Sequence, residues 1–167
     1  MNVQFDVVIM NGVILDGTGA PRKKADIGIV GDQIIAIGHL ASAEAETVID
    51  ATGKMVCPGF IDVHVHSELA LLGGRDQYAP LKMGVTTQLA SPDGFSWAPL
   101  KQKRLKAVKD YLHVFYEDHL LDQEENLSID RFLSLFHDKL PSNLVLQVPH
   151  LSVRTAVMGW EDRVASD

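Results

Sequence analysis

Two histidines separated by one residue, His64 and His66, are the side chains best suited to chemistry in this sequence of 167 residues. They end an apolar, β-branched run that follows the break at Pro58-Gly59, and this composition predicts a β-strand. Side chains alternate across a strand, so Asp62, His64 and His66 are expected to share one face. Histidines at i and i+2 lie about 7 Å apart at Cβ, and both imidazoles can reach one metal ion at about 2.0–2.1 Å. The spacing therefore predicts a metal site, and the alternative is an incidental His-x-His on a solvated edge strand.

The stretch that contains these histidines resembles a known family. Its pattern Pro-Gly-Phe-Ile-Asp-x-His-x-His, at residues 58–66, is similar to the amidohydrolase superfamily and more narrowly to the N-acyl-D-amino-acid deacylases, or D-aminoacylases. The resemblance covers essentially the whole chain, but only the N-terminal portion of the family. Further segments that support the narrower resemblance are Asp6–Gly12 with Asp16–Gly19, Gly84–Thr87 with Gly94–Pro99, and Asn143–Leu146 with His150–Arg154 and Met158-Gly159.

The resemblance implies a metal centre with one or two zinc ions, for which His64 and His66 would be ligands. Asp93, in Pro92-Asp93-Gly94-Phe95-Ser96, stands where the most similar D-aminoacylases carry the metal-binding cysteine of Asn-Cys-Gly-Phe-Ser. A carboxylate can ligate or bridge zinc, but it is a harder ligand than a thiolate and can favour other ions. The alternative is that Pro-Asp-Gly only forms a turn, because all three residue types favour turns.

Three further residues are candidates to bind substrate or to support the metal ligands. Asp62 shares the predicted face of the histidines and could orient one of them through its second ring nitrogen. Glu68 could do the same, although an exposed loop acid is the simpler interpretation. His150, placed at the end of the predicted third strand, could contact substrate or support the site, and a structural histidine is the simpler alternative.

Short strands joined by tight turns are predicted for residues 1–56. Asn11-Gly12 is a strong signal for a type I′ hairpin, and Gly31-Asp32 separates two further apolar runs. These strands would form a small N-terminal β-sandwich segment. In the resembled family this segment is part of a β-domain that the distant C-terminus completes.

Residues 57–167 alternate between strand and helix patterns, which predicts an α/β fold with a parallel sheet. The family resemblance makes this sheet the beginning of a (β/α)₈ metal-dependent hydrolase barrel, of the TIM type, with the site at the C-terminal ends of its strands. The predicted strands are Phe60–His66, Val85–Ser91 and Leu144–Val148, and the predicted helices are Asp76–Met83, Lys101–Leu121 and a Ser128-capped amphipathic helix whose apolar face is Ile129, Phe132, Leu133, Phe136 and Leu140.

Three strand-helix units cannot close a barrel, which needs eight strands and about 250 residues. The chain is therefore expected to be an N-terminal fragment that lacks the C-terminal barrel portion and is inactive alone. In the resembled superfamily the acid/base aspartate and the remaining histidine ligands come from later strands. No catalytic residue is assigned within this chain.

The net charge and the cysteine content argue against some functions and some cellular locations. A net charge of −7 argues against binding to nucleic acid or to an anionic membrane surface. The single cysteine, Cys57, excludes an internal disulfide and fits a reducing compartment, so a cytoplasmic location is expected.

The function implied by the resemblance is metal-assisted hydrolysis of the amide bond in small-molecule N-acyl-D-amino acids. One alternative is a cyclic-amide hydrolase of the dihydroorotase or hydantoinase kind, which shares the His-x-His strand. A second alternative is a truncated remnant without catalytic activity, which would be poorly soluble or require a partner chain.

Overall fold

The structure is a computed structural model that describes residues 4–74, 78–113 and 118–166. The chain divides into two compact units, one that ends at Pro58 and one that begins at Gly59. Among the described residues, no helix is both long enough and apolar enough to cross a membrane.

The first unit is a single mixed sheet of five strands in the order β3-β2-β1-β4, with β5 also paired to β1. β2 runs antiparallel to both β1 and β3, whereas β4 and β5 run parallel to β1. The sequence predicts a small sandwich segment here, and among the described residues its strands form one sheet. Its strands are β1 (Phe5–Ile14), β2 (Lys23–Val30), β3 (Gln33–Gly38), β4 (Ala45–Asp50) and β5 (Met55–Val56).

Of the two predicted turns in this unit, one is confirmed and one is wrong. Gly31-Asp32 connects β2 to β3, and Val30 pairs with Gln33 across it. Asn11-Gly12 instead lies inside β1, where the pairing with β2 shifts register. Asn11 adopts a left-handed backbone with φ of 63°, and its N–H donates to Asp26 Oδ1 at 2.8 Å. The left-handed preference of Asn thus serves a β-bulge here rather than a hairpin.

The second unit contains a parallel three-stranded sheet in the order β10-β7-β6, which confirms the predicted α/β class and the three predicted strands. A short antiparallel pair, β8 with β9, lies apart from it. In chain order the elements are β6 (Phe60–Val65), α1 (Glu68–Leu72), α2 (Tyr78–Lys82), β7 (Val85–Ala90), β8 (Leu100–Lys101), α3 (Gln102–Leu112), β9 (Asn126–Leu127), α4 (Ile129–Ser134), β10 (Asn143–Leu146) and α5 (His150–Met158).

The helices are shorter than predicted. α2 lies inside the predicted segment 76–83, of which residues 76 and 77 are outside the described residues. α3 ends at Leu112, and a 3-10 turn covers Asp118–Leu121, while residues 114–117 are outside the described residues. Ser128 caps α4 as predicted, since its Oγ accepts from the N–H of Arg131 at 3.0 Å. α1 and α5 have no counterpart in the prediction.

The core of this unit collects the apolar faces of α3 and α4 with the loop that follows β7. Phe132 and Phe136 of the predicted α4 stripe are buried, whereas Leu133 is 38% exposed. The helix ends before Leu140, so the predicted stripe continues into a turn. The largest side chains that are almost fully buried in this unit are Trp97, Leu100, Leu105, Leu121, Leu127 and Phe132.

Candidate metal centre

His64, His66 and Asp93 come together at the C-terminal ends of β6 and β7. Asp93 Oδ2 lies 3.5 Å from His64 Nε2 and 3.3 Å from His66 Nε2. One ligand atom from each of the three residues lies within 4.8 Å of the other two. The two imidazole rings are 5.6 Å apart at their centroids and nearly perpendicular, at 78°. The structure thus brings together the three residues for which metal ligation is predicted.

The spacing of these donor atoms fits a metal ion. In a tetrahedral site with bonds of about 2.0–2.1 Å, neighbouring ligand atoms lie about 3.4 Å apart. The distances from Asp93 Oδ2 to the two imidazole nitrogens, 3.3 and 3.5 Å, bracket this value. The side chains of His64, His66 and Asp93 are 60%, 36% and 66% exposed, so further coordination positions face solvent. Two nitrogens and one oxygen with open positions are a donor set that zinc and other divalent cations accept.

An irregular end of β6 presents the histidines. The pairing of β6 with β7 shifts register between Asp62 and Val65, and His66 follows the last residue of the strand. The strict alternation expected for this stretch is therefore interrupted. Asp62 Oδ1 accepts from the backbone N–H of His64 at 3.2 Å, so among the described residues its hydrogen bond is to the backbone of a candidate ligand and not to an imidazole ring.

Asp93 sits in a turn with an unusual backbone. Ser91 and Asp93 have φ of 65° and 58°, and Gly94 has φ of 75°. Pro92–Gly94 form a single 3-10 turn directly after β7. A side chain at position 94 would come within 3.2 Å of the backbone nitrogen of Leu151, so glycine allows the turn to lie close to α5. Pro-Asp-Gly is therefore a turn that also carries the candidate ligand, and the two alternatives posed by the sequence are compatible.

Glu68 is buried, so its interpretation as an exposed loop acid is wrong. It is the first residue of α1 and is 3% exposed. Its Oε1 accepts from the backbone N–H of Ser91 at 3.1 Å and from Ser91 Oγ at 3.2 Å. Burial raises the pKa of Glu68 above its ordinary value, and hydrogen bonds and the charge of His66 offset part of that rise.

His150 does not end a strand, since β10 stops at Leu146 and His150 begins α5. It is exposed, and its Cβ would lie 3.5 Å from a side-chain carbon placed at Gly94, so it borders the turn that carries Asp93. Its role toward substrate stays a prediction.

One buried polar residue beside the site was not predicted from the sequence. Gln88, on β7, is 2% exposed and accepts from Ser67 Oγ at 2.9 Å through its Oε1. Its Nε2 donates to Ser142 Oγ at 3.4 Å. The sequence does contain a signal for this residue, because Gln88 lies in the middle of the strand Val85–Ala90. A glutamine buried in a strand requires hydrogen-bond partners for its amide.

Comparison with known proteins agrees with the resemblance carried by the motifs. The family model described as the amidohydrolase family matches residues 47–124. A D-aminoacylase from Alcaligenes xylosoxydans xylosoxydans is 36% identical over 168 residues, which is 98% of this chain and 33% of that protein.

Solved structures give the same result. The crystal structure of an N-acyl-D-glutamate deacylase from Bordetella bronchiseptica, complexed with zinc and a phosphonate inhibitor, matches with a TM-score of 0.76 at 31% identity over 93% of this chain and 32% of that one. A second match is the structure of a D-aminoacylase with a binuclear metal centre, which has a TM-score of 0.77 at 33% identity. This match covers 92% of this chain and 31% of that one. The predicted resemblance and fold class are confirmed. The chain spans about a third of the length of the relatives it matches.

Proposed function

We propose, from the premise that this chain is similar to the amidohydrolase family and to its D-aminoacylases, that it supplies the N-terminal metal-binding part of a hydrolase for N-acyl-D-amino acids. The observation that carries the proposal is the convergence of His64, His66 and Asp93 on one point. The proposal includes a part of a β-domain at residues 1–56 and the first units of a barrel at residues 57–167. A cytoplasmic location also belongs to it, supported by the single cysteine.

The residues of this chain would hold the metal and leave room for the reaction. Neutral His64 and His66 would each donate a ring nitrogen, and Asp93 would donate a carboxylate oxygen whose charge offsets part of the cation's charge. A zinc ion held by these residues would lower the pKa of a bound water molecule to near neutral, and the ion itself would polarise the scissile carbonyl. The exposed side of the site is where a small N-acyl-D-amino acid would bind. The metal count of one or two ions is part of the proposal.

An acid/base group is also required, to move a proton from the attacking water to the leaving amine. The site residues of this chain already serve as candidate ligands, so we assign that role to the C-terminal barrel portion of the resembled enzymes. The chain by itself is expected to bind metal weakly and to hydrolyse no N-acyl-D-amino acid at a measurable rate.

The runner-up, a hydrolase of cyclic amides, shares the His-x-His strand. The extent of the similarity favours the deacylases, because it runs through both units of the chain at 98% coverage. Assays of a longer product of the same locus separate the two functions. A deacylase would release free D-amino acids from N-acyl substrates, whereas a cyclic-amide hydrolase would open the ring of dihydroorotate or of a hydantoin.

The first test of the proposal is metal binding by the purified chain. We expect calorimetric titration with added zinc to detect binding, and we expect His64→Ala with His66→Ala to weaken that binding by at least about 100-fold, because two of three ligands are lost. His137→Ala is the matched control, since His137 is an exposed histidine whose nearest charged partner is Asp138. Equal zinc binding by the double variant and the unmodified chain would contradict the proposal.

A further inference from the structure

We infer that Glu68 is a positioning residue for the metal centre, which holds Asp93 opposite the histidines by fixing the backbone of Ser91. The inference rests on the proposed function above, because it names what places one of the proposed ligands. Glu68 is not one of the proposed metal ligands, and among the described residues it makes no hydrogen bond to a histidine ring.

Glu68 contacts Ser91 directly. One carboxylate oxygen, Glu68 Oε1, accepts from both the N–H and the Oγ of Ser91, at 3.1 and 3.2 Å. Both residues are almost fully buried, Glu68 at 3% and Ser91 at 1% exposure. Burial shields these hydrogen bonds from competing water, and a buried donor of Ser91 left without a partner would be costly.

The backbone of Ser91 is left-handed, with φ of 65° and ψ of 39°. This region is unfavourable for residues with a Cβ atom, so the surroundings must hold Ser91 there. Glu68 does so from two directions, through the amide and through the hydroxyl. Ser91 is followed by Pro92 and Asp93, so its conformation sets the direction in which the turn leaves β7.

Glu68 is itself anchored by the helix that it begins. It begins α1 two residues after His66, and the apolar side chains of Leu69 and Leu71 hold that helix in the core at 2% and 4% exposure. The contact from Glu68 to Ser91 therefore ties the segment that leaves β6 to the segment that leaves β7. These are the two segments that carry His66 and Asp93, whose donor atoms lie 3.3 Å apart.

The alternative is that Glu68 only supports the fold. A structural role predicts that loss of the carboxylate lowers stability without changing the metal site. A positioning role predicts a change in metal affinity and in the ligand field, beyond what an equal loss of stability produces elsewhere. The two roles are therefore separated by measuring both quantities on the same variants.

The experiment uses the 167-residue chain with Co²⁺ as the probe, and it measures the affinity, the visible absorption spectrum and the unfolding midpoint. Glu68→Ala is expected to weaken Co²⁺ binding by about 10–100-fold, as is typical for residues that orient metal ligands, and to alter the spectrum. Glu68→Gln keeps an oxygen acceptor at the same reach and is expected to retain most of the affinity. Val108→Ala, a buried position in α3, is the control, with a lower midpoint and unchanged Co²⁺ binding.

The outcomes distinguish this inference from the proposed function. Glu68→Ala with unchanged affinity and spectrum, while the histidine variants lose metal, would overturn the positioning role and leave the metal centre standing. Histidine variants that bind Co²⁺ normally would overturn both. If Glu68→Ala does not fold, Glu68→Asp shortens the side chain by one methylene and withdraws the carboxylate from both the N–H and the Oγ of Ser91, and unchanged affinity there would again refute the inference.

Discussion

Asp93 determines the chemical character of the candidate metal centre at the scale of single residues. Its carboxylate makes the donor set two nitrogens and one oxygen, all within 4.8 Å of one another. Oxygen donors suit harder cations, whereas thiolate selects softer ones such as Zn²⁺ and Cd²⁺ over Mn²⁺. The residue at position 93 should therefore control metal preference more than it controls the presence of a site.

We predict that Asp93→Cys raises the affinity for Cd²⁺ relative to Mn²⁺ by about tenfold or more, because a thiolate replaces a carboxylate oxygen. Competition titrations that include both cations measure this ratio directly. Asp130→Cys is the matched control, since it places a thiol near the N-terminal end of α4 and outside the donor cluster. An unchanged ratio in Asp93→Cys would mean that residue 93 is not a ligand.

The candidate ligands could be named from sequence because their signals are local. His64 and His66 are two residues apart, and Asp93 follows the next strand in a turn signature. Glu68 could not be interpreted correctly in the same way, because its hydrogen-bond partner Ser91 lies 23 residues further along the chain. The same holds for Gln88, whose partner Ser142 is 54 residues away. Local pattern, together with the family resemblance for Asp93, thus pointed to the candidate ligands, whereas the burial and partners of Glu68 and Gln88 could not be predicted from local pattern.

At the scale of elements, turn signals gave opposite results in the first unit. Gly31-Asp32 turns the chain because β2 and β3 pair directly on either side of it. Asn11-Gly12 does not, because β1 continues and pairs on one side with β2 and on the other with β4 and β5. A side chain at Gly12 would come within 2.7 Å of Val56, so the glycine allows β5 to approach. Strand pairing over long range therefore overrode a strong local signal.

Asp26 connects these elements and gives the first unit a predicted acid sensitivity. Its carboxylate accepts from the N–H groups of Asn11 and Leu40, both at 2.8 Å, which links β2 to the bulge of β1 and to the segment after β3. These hydrogen bonds, chiefly the one from Leu40, hold the pKa of Asp26 below its ordinary value of 3.8. A lowered pKa in the folded state means that the unfolded chain binds the proton more tightly.

The sign of the pH effect follows from this difference. The contribution of Asp26 to stability is complete above its ordinary pKa of 3.8 and is lost as the pH falls through the lower pKa of the folded state. We predict that Asp26→Asn lowers the free energy of unfolding at pH 7 and reduces its loss on acidification. Chemical denaturation at pH 7 and near pH 3 measures both effects. Asp32→Asn, in the exposed turn between β2 and β3, is the control, and identical acid sensitivity of Asp26→Asn and the unmodified chain would contradict the prediction.

At the scale of the whole molecule, each unit presents apolar side chains to solvent. In the first unit the exposed members include Ile34 at 60% and Val48 at 56%. In the second, Phe60, Ile61 and Val63 on β6 are 59%, 64% and 63% exposed. Parallel sheets are normally covered on both faces, and contiguous apolar surface favours association.

We predict that the purified chain self-associates at micromolar concentration and binds a hydrophobic dye such as ANS, since the exposed face of β6 has no cover among the described residues. Light scattering coupled to size-exclusion chromatography measures the association. Ile61→Lys with Val63→Lys should reduce both the apparent mass and the dye fluorescence, because two charges would then have to be buried in any contact through that strand. Val164→Lys is the matched control, because Val164 is 92% exposed but lies outside every strand and helix. A monomeric chain that binds no dye would show that the apolar side chains of β6 do not drive association. If Val164→Lys reduced association and dye binding equally, both would come from exposed apolar surface in general and not from β6.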